Sequence, residues 1–206
     1  KIGSSTFANN TADWWGGAIC TFTRWTRVEI DNSTFSQNWA GEGGAIDNNY
    51  AALKISNSTL SGNSTDSVGG AIYNWGGALQ IANGTLTANR ADADGNGSGN
   101  GGAIHDDGGG ATYLLDNTIV AGNRLGAPGN DSPNEFSATL DPASSHNLIG
   151  DAATAGGLVH GVNGNLVGNG GSDVLNGSDA IDHEGSENSE SEGLCDSVSW
   201  RCRWRR

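Results

Sequence analysis

Three groups of residues in this 206-residue sequence have types and spacings that could do chemistry. The first is Ala91-Asp92-Ala93-Asp94-Gly95-Asn96-Gly97-Ser98-Gly99-Asn100. Asp92, Asp94, Asn96 and Gly97 fall at positions 1, 3, 5 and 6 of a calcium loop, where alternate oxygen side chains converge on a hard cation around a glycine bend. Position 12 falls on Ala103, so a bidentate carboxylate would have to come from Asp106 or Asp107. Ca2+ is the one candidate cofactor, and nothing else in the chain requires a cofactor. The plain alternative is a Gly- and Asp-rich loop. The second group is His105-Asp106-Asp107. Adjacent carboxylates beside an imidazole are the raw material of acid–base cleavage of a glycosidic bond. The alternative there is a solvated turn. The third group is Trp14, Trp15, Trp39 and Trp75, with Trp25 close by. Trp14, Trp15 and Trp39 lie just before Gly-Gly-Ala-Ile stretches, at expected corners, where their faces could stack on sugar rings or a partner protein. Corner packing is the alternative. His146 and His160 have no partner by spacing and read as turn or core residues. No nucleophilic serine elbow and no phosphate-binding glycine loop is present.

The elements that position these groups are repeats. Segments that start on an apolar residue and end on Asn eight positions later run from Ile2 to Asn10, Ile30 to Asn38, Ile55 to Asn63, Ile81 to Asn89 and Leu115 to Asn123. Within them one column reads Phe7, Phe35, Leu60, Leu86, Val120, and another reads Ser4, Asn32, Asn57, Asn83, Asn117. Gly-Gly-Ala-Ile follows the first four copies, at Gly16, Gly43, Gly69 and Gly101. A period-2 apolar pair completes each unit: Val28 and Ile30, Leu53 and Ile55, Leu79 and Ile81, Tyr113 and Leu115. Alternation at this length predicts a strand with one buried face. Each rung therefore holds three short strands, and no stretch between them has a helical period. Repeats of this length form solenoids in which each unit buries its apolar face only against its neighbours. The predicted fold is all-β, a right-handed, single-stranded parallel β-helix with three short strands per rung.

Composition agrees. The chain has 34 Gly but only 3 Pro and no Gly-X-Y period, which excludes collagen. Gly, Asn, Ser and Thr suit turns and short strands better than helix interiors. Net charge is −13, and four of the ten basic residues, Arg201, Arg203, Arg205 and Arg206, sit in the last six positions. So acidic a body repels nucleic acid and anionic membrane surfaces. No run of about 18 apolar residues is present, so the chain holds no integral membrane helix. Cys20 falls in a strand and is expected as a small buried side chain, while Cys195 and Cys202 fall in an unusual tail.

Gly-Gly-Ala-Ile together with Phe7-Ala8-Asn9-Asn10 and Phe35-Ser36-Gln37-Asn38 resembles the repeats of the polymorphic outer membrane proteins, a family of surface autotransporters. The resemblance covers residues 1–124. It implies a secreted or outer-membrane β-helix, adhesion as the usual role, a host or cell-surface glycan or protein as partner, and no fixed active site. Residues 117–182 look like the end of related bacterial β-helix surface proteins. His105-Asp106-Asp107 resembles the paired aspartates of polygalacturonases, but their Asn-Thr-Asp, Gly-His-Gly and Arg-x-Lys elements are missing. Gly168-Asn169-Gly170-Gly171-Ser172-Asp173-Val174-Leu175 resembles one unit of a calcium-binding nonapeptide repeat, whose sites need several units. The expected organisation is a β-helix over 1–182, with clear repeats at 2–123 and divergent rungs at 124–182. An irregular tail follows at 183–206, with the composition of a truncated or frame-shifted end. The start at Lys1 falls inside a repeat, as in a piece of something longer. The expected function is a non-catalytic surface module for adhesion or cell-envelope interaction; the alternative is a polysaccharide-active β-helix enzyme.

Overall fold

A computed structural model describes residues 1–108 and 112–168. The expectations for residues 169–206 (the nonapeptide unit beyond Gly168, the motif at 177–182, Cys195 and Cys202, the tail) lie outside the described residues. The described part is a parallel β-helix. One sheet stacks the alternating pairs, through Ile2–Gly3, Arg27–Asp31, Ala52–Ser56, Leu79–Ala82 and Tyr113–Asp116. A second stacks Thr6–Ala8, Thr34–Ser36, Thr59–Ser61, Thr85–Thr87 and Ile119–Ala121, and continues through Leu148–Ile149 and Leu166–Val167. A third stacks Ile19–Thr21, Ile46–Asn49, Ile72–Trp75, Ile104–Asp106 and Phe136–Ser137. These are the three expected strands of each rung. The connection from the second to the third also pairs along the rod, from Thr11–Trp15 and Trp39–Glu42 to Arg124–Leu125, and forms a narrower sheet. Its last partner, Ser132–Pro133, is antiparallel.

The register is that of the sequence columns. Ile2 pairs with Ile30, Ile30 with Ile55, Ile55 with Ile81, and Ile81 with Leu115. Stacking rungs about 4.8 Å apart puts like on like, and Phe7 lies on Phe35 with ring centroids 4.8 Å apart. The core is one narrow file of Ile, Leu, Val, Ala and Phe running the length of the rod. The fifth rung has no Gly-Gly-Ala-Ile, and Phe136 takes the isoleucine's place opposite Ile104.

Two columns of asparagine shape the turns. Asn32, Asn57, Asn83 and Asn117 all have φ between 46° and 53°. Asn is the ordinary residue that enters the left-handed region most readily, because its short amide bonds locally. Their side chains form an outer ladder, with Asn83 Nδ2 donating to Asn57 Oδ1 and Asn117 Nδ2 to Asn83 Oδ1. The second column, Asn38, Asn63, Asn89 and Asn123, is fully buried. The amides of Asn38, Asn63 and Asn89 each donate to the next one up and to a backbone carbonyl of the preceding rung. Glu135 caps this inner ladder by accepting from Asn123 Nδ2 at 2.5 Å and from the Gly122 N–H.

Cys20 is exposed, against expectation. Ile19 holds the inward position, and period-2 alternation sends the next side chain outward. The tryptophans are placed differently too. Trp14 and Trp15 end a strand of the narrow sheet and Trp39 begins one, so none of the three is at a bend.

Candidate functional site

After each Gly-Gly-Ala-Ile the strand alternates. The isoleucines point inward, and so do Asn48 and Asn74, whose amides are bonded to each other in the interior. The residue between faces outward. Register places Cys20, Asp47, Tyr73, His105 and Ser137 in a single outer row. Inward rows hold residues of like size and character from rung to rung, because they pack on one another. This outer row changes at every rung, so its residues are free to form a site.

A cleft of about 190 Å³ opens on this face, lined by Trp15, Phe22, Glu42, Asn49, Tyr50, Tyr73 and Trp75. Its walls are aromatic. Trp15 meets Phe22 edge-on at 5.3 Å, and Tyr50 lies tilted against Trp75 at 5.1 Å. Tyr50 has φ 65°, and a Cβ at Gly76 would lie 2.8 Å from its ring, so Gly76 is what leaves the ring its place. The Arg24 guanidinium sits 4.3 Å from the Tyr50 centroid. Trp15 and Trp75 remain 47% and 41% exposed.

Below and beside these rings lie three carboxylates. Asp47 is fully buried. Its Oδ1 accepts from Nδ2 of Asn49, and its Oδ2 has no hydrogen-bond partner. Burial, with Glu42 adding repulsion, pushes its pKa up to about 7. Desolvation also raises Glu42, helped by the charge of Asp107, while a hydrogen bond from Trp15 works the other way. Asp107 accepts from the Tyr73 hydroxyl at 3.0 Å. Burial and this bond to Asp107 raise Tyr73 far above the usual range. Further along the row the His105 ring stacks on Tyr73 at 5.8 Å, and its Nδ1 lies 2.5 Å from Ser137 Oγ. Desolvation lowers the His105 pKa, outweighing Asp107 and Asp106, and so favours the neutral imidazole.

This electrostatic arrangement gives stability a definite pH dependence. Asp47 has an ordinary pKa of 3.8 when unfolded and about 7 when folded. Between those values the folded state binds the extra proton. Stability from this group is therefore full below about pH 4 and is lost as pH rises toward 7. Asp47→Asn should raise the pH 7.5 stability by about 1–2 kcal/mol, after discounting the full shift for residual solvation. It should also flatten the decline between pH 4 and 7 in chemical denaturation. An unchanged pH profile would refute this account of the buried carboxyl.

The residues singled out by sequence divide. Trp15 and Trp75 line the cleft, and Asp107 is hydrogen-bonded to the Tyr73 that lines it with them. Trp14 touches only its edge, 6.3 Å from Trp15, and Trp39 is half-buried between Thr11 and Ser64. Asp106 and Asp107 diverge. Asp106 continues the inner row of Asn48 and Asn74 and accepts from the Gly108 N–H. In the loop at 91–100, Asp92 accepts from the Gly97 N–H, Asp94 from the Asn96 N–H and Nδ2, and Asn96 from the Ser98 N–H. Among the described residues no three His, Cys, Asp or Glu gather as metal ligands. Sequence reasoning missed Glu42, Asp47, Asn49, Tyr50 and Tyr73. The signal was there: counting in twos from each Gly-Gly-Ala-Ile places Asp47 and Tyr73 on one outer face.

Residues 4–21, 32–49 and 57–82 match the Chlamydia polymorphic membrane protein repeat. Over these three stretches the chain resembles polymorphic membrane protein repeats. Each matched stretch begins at or beside a left-handed corner and runs through a Gly-Gly-Ala-Ile strand, so the polymorphic membrane protein repeat here is one rung of the helix. The repeat family is one of bacterial surface proteins. Trp15, Glu42, Asp47, Asn49, Tyr73 and Trp75 lie inside the matched stretches, while Phe22 and Tyr50 each fall one residue past one. No curated protein and no solved structure matches the chain. Among the described residues no helix is long and apolar enough to cross a membrane.

Proposed function

We propose that this chain is a non-catalytic, glycan-binding module of a bacterial surface protein, serving adhesion or cell-envelope interaction. The observation that carries this reading is the cleft, lined by half-exposed Trp15 and Trp75 together with the polar side chains of Glu42 and Asn49. Aromatic faces take the C–H faces of a sugar ring, and the polar groups take its hydroxyls. Similarity to the repeats of a surface-protein family supports display outside the cell. A net charge of −13 argues against a uronate or sulfated ligand.

Acid–base hydrolysis is the second reading, favoured by the raised pKa of Asp47. Its weakness is that Asp47 has no exposed surface, so it cannot protonate a glycosidic oxygen as it stands. Isothermal titration after screening on a glycan array tests both. Non-acidic glycans should bind without being shortened, and Trp75→Ala and Trp15→Ala should each weaken binding about tenfold, the loss of one stacking contact. Unchanged affinity in both variants would end the binding reading. Release of reducing ends that stops on Asp107→Asn would replace it with hydrolysis.

A further inference from the structure

On the glycan-binding reading, the cleft's charge specifies which sugar enters. Among the described residues the ion pairs join Lys1 and Arg27 to Glu29, Arg90 to Asp131, and His146 to Asp116. None reaches Glu42, Asp47 or Asp107. These acids crowd one another, and Asp47 Oδ2 is buried without a donor. A buried acceptor left unmade is costly, and a buried carboxylate without a counter-charge more so. At the rim, Arg24 already rests a cation on the Tyr50 ring, which is how aromatic walls receive positive charge. The cleft has room for about six waters, enough for one ring-sized group.

We propose that the cleft selects a sugar bearing a free, protonated amine, whose ammonium donates to Glu42 between the aromatic walls with Asp47 as the buried counter-charge. An ammonium supplies three donors and no acceptor, so it fits a site made of acceptors and ring faces. An acetylated amine is neutral and brings its own carbonyl oxygen toward the carboxylates. Binding couples to protons. Asp47 is faced by Glu42 and Asn49, with Cys20 and Tyr73 on either side in its row and Asp107 beyond Tyr73. Cys20 is pushed up to about 12 by desolvation and then by Asp47, and Tyr73 lies higher still, so neither ionises near neutrality. Affinity should therefore follow the ionisation of Asp47 with the Glu42 beside it.

The test is titration calorimetry of the full chain with a glucosamine tetramer and an N-acetylglucosamine tetramer. The glucosamine tetramer should bind at least tenfold tighter at pH 7. Its affinity should rise from pH 5 to pH 7 in the wild type, and much less in Asp47→Asn. Glu42→Gln should erase the preference, whereas Trp75→Ala should weaken both ligands. A thermal melt confirms that each variant is folded. Equal affinity, or preference for the acetylated tetramer, overturns the amine proposal and leaves glycan binding standing. Binding of other non-acidic glycans but neither tetramer also overturns the amine proposal. Binding of no glycan overturns the glycan reading with it.

Discussion

Gly70→Ala should cost more than about 4 kcal/mol and abolish the cooperative melt at ordinary temperatures, a large effect for a single methyl group. A Cβ at Gly70 would lie 2.1 Å from the Gly102 carbonyl oxygen and 2.6 Å from the backbone of Arg90. Every one of those atoms is backbone, and backbone of two neighbouring strands. Nothing flexible can give way, so the rungs themselves would have to part. The same contact recurs down the rod, at 2.3 Å for Gly17 against Gly44 and 2.2 Å for Gly44 against Gly70. The first glycine of each pair has a different reason. Gly43, Gly69 and Gly101 have φ of 60°, 71° and 67°, and a Cβ there would strike the carbonyl of the isoleucine three residues on. One glycine thus turns the chain and the next lets adjacent rungs touch. Gly97→Ala is the control. It also has positive φ, but nothing lies within 4 Å, so only the backbone strain of about 1–2 kcal/mol should appear. Thermal denaturation followed by circular dichroism distinguishes them. A Gly70→Ala protein that melts within a few degrees of wild type would show that rung contact is not what the pair provides.

That logic marks where the sequence was legible. Columns of identical residues are the direct consequence of stacking, so Ile30, Ile55 and Ile81, or Asn63, Asn89 and Asn123, declare register as well as fold. Sites obey no such rule. Glu42 comes from the narrow sheet, Asp47 and Tyr73 from two successive rungs of another, and Tyr50 from the turn after it. They are far apart in sequence and differ in type, and only the rung spacing brings them together. Trp15 and Trp75 were visible because tryptophan is conspicuous in a chain of small residues. Asp106 and Asp107 were visible because they are adjacent, yet adjacency in a strand sends side chains to opposite faces. The calcium-loop pattern at 92–97 has the spacing of a ligand set. The same spacing lets Asp and Asn side chains cap nearby backbone N–H groups, and these ones do.

Asn89→Ala should cost about 3–5 kcal/mol, next to the glycine in size. Asn89 Oδ1 accepts from the backbone N–H and the Nδ2 of Asn63, at 3.0 and 2.9 Å. Its Nδ2 donates to the Leu60 carbonyl and to Asn123 Oδ1, at 3.0 and 2.8 Å. Truncation removes four buried hydrogen bonds and leaves the Asn63 N–H facing a cavity, and each buried group so orphaned costs about 1–3 kcal/mol. The loss would spread, because Asn63 and Asn123 are each fixed by the neighbour on either side. Asn117→Ala, in the exposed outer ladder, breaks only its bond to Asn83 at 2.8 Å, and water replaces it. It should cost about 1–2 kcal/mol, chiefly for holding alanine in the left-handed region. Asn89→Asp separates shape from chemistry. It keeps the volume and the acceptor, but it points an anion at the Leu60 carbonyl and Asn123 Oδ1, which can only accept there. At pH 7 it should be at least as unstable as Asn89→Ala. Lowering the pH protonates the carboxyl and restores one donor, so Asn89→Asp should regain stability in acid where Asn89→Ala does not. Equal pH profiles for the two variants would mean that the column is held by packing, and that its hydrogen bonds are incidental.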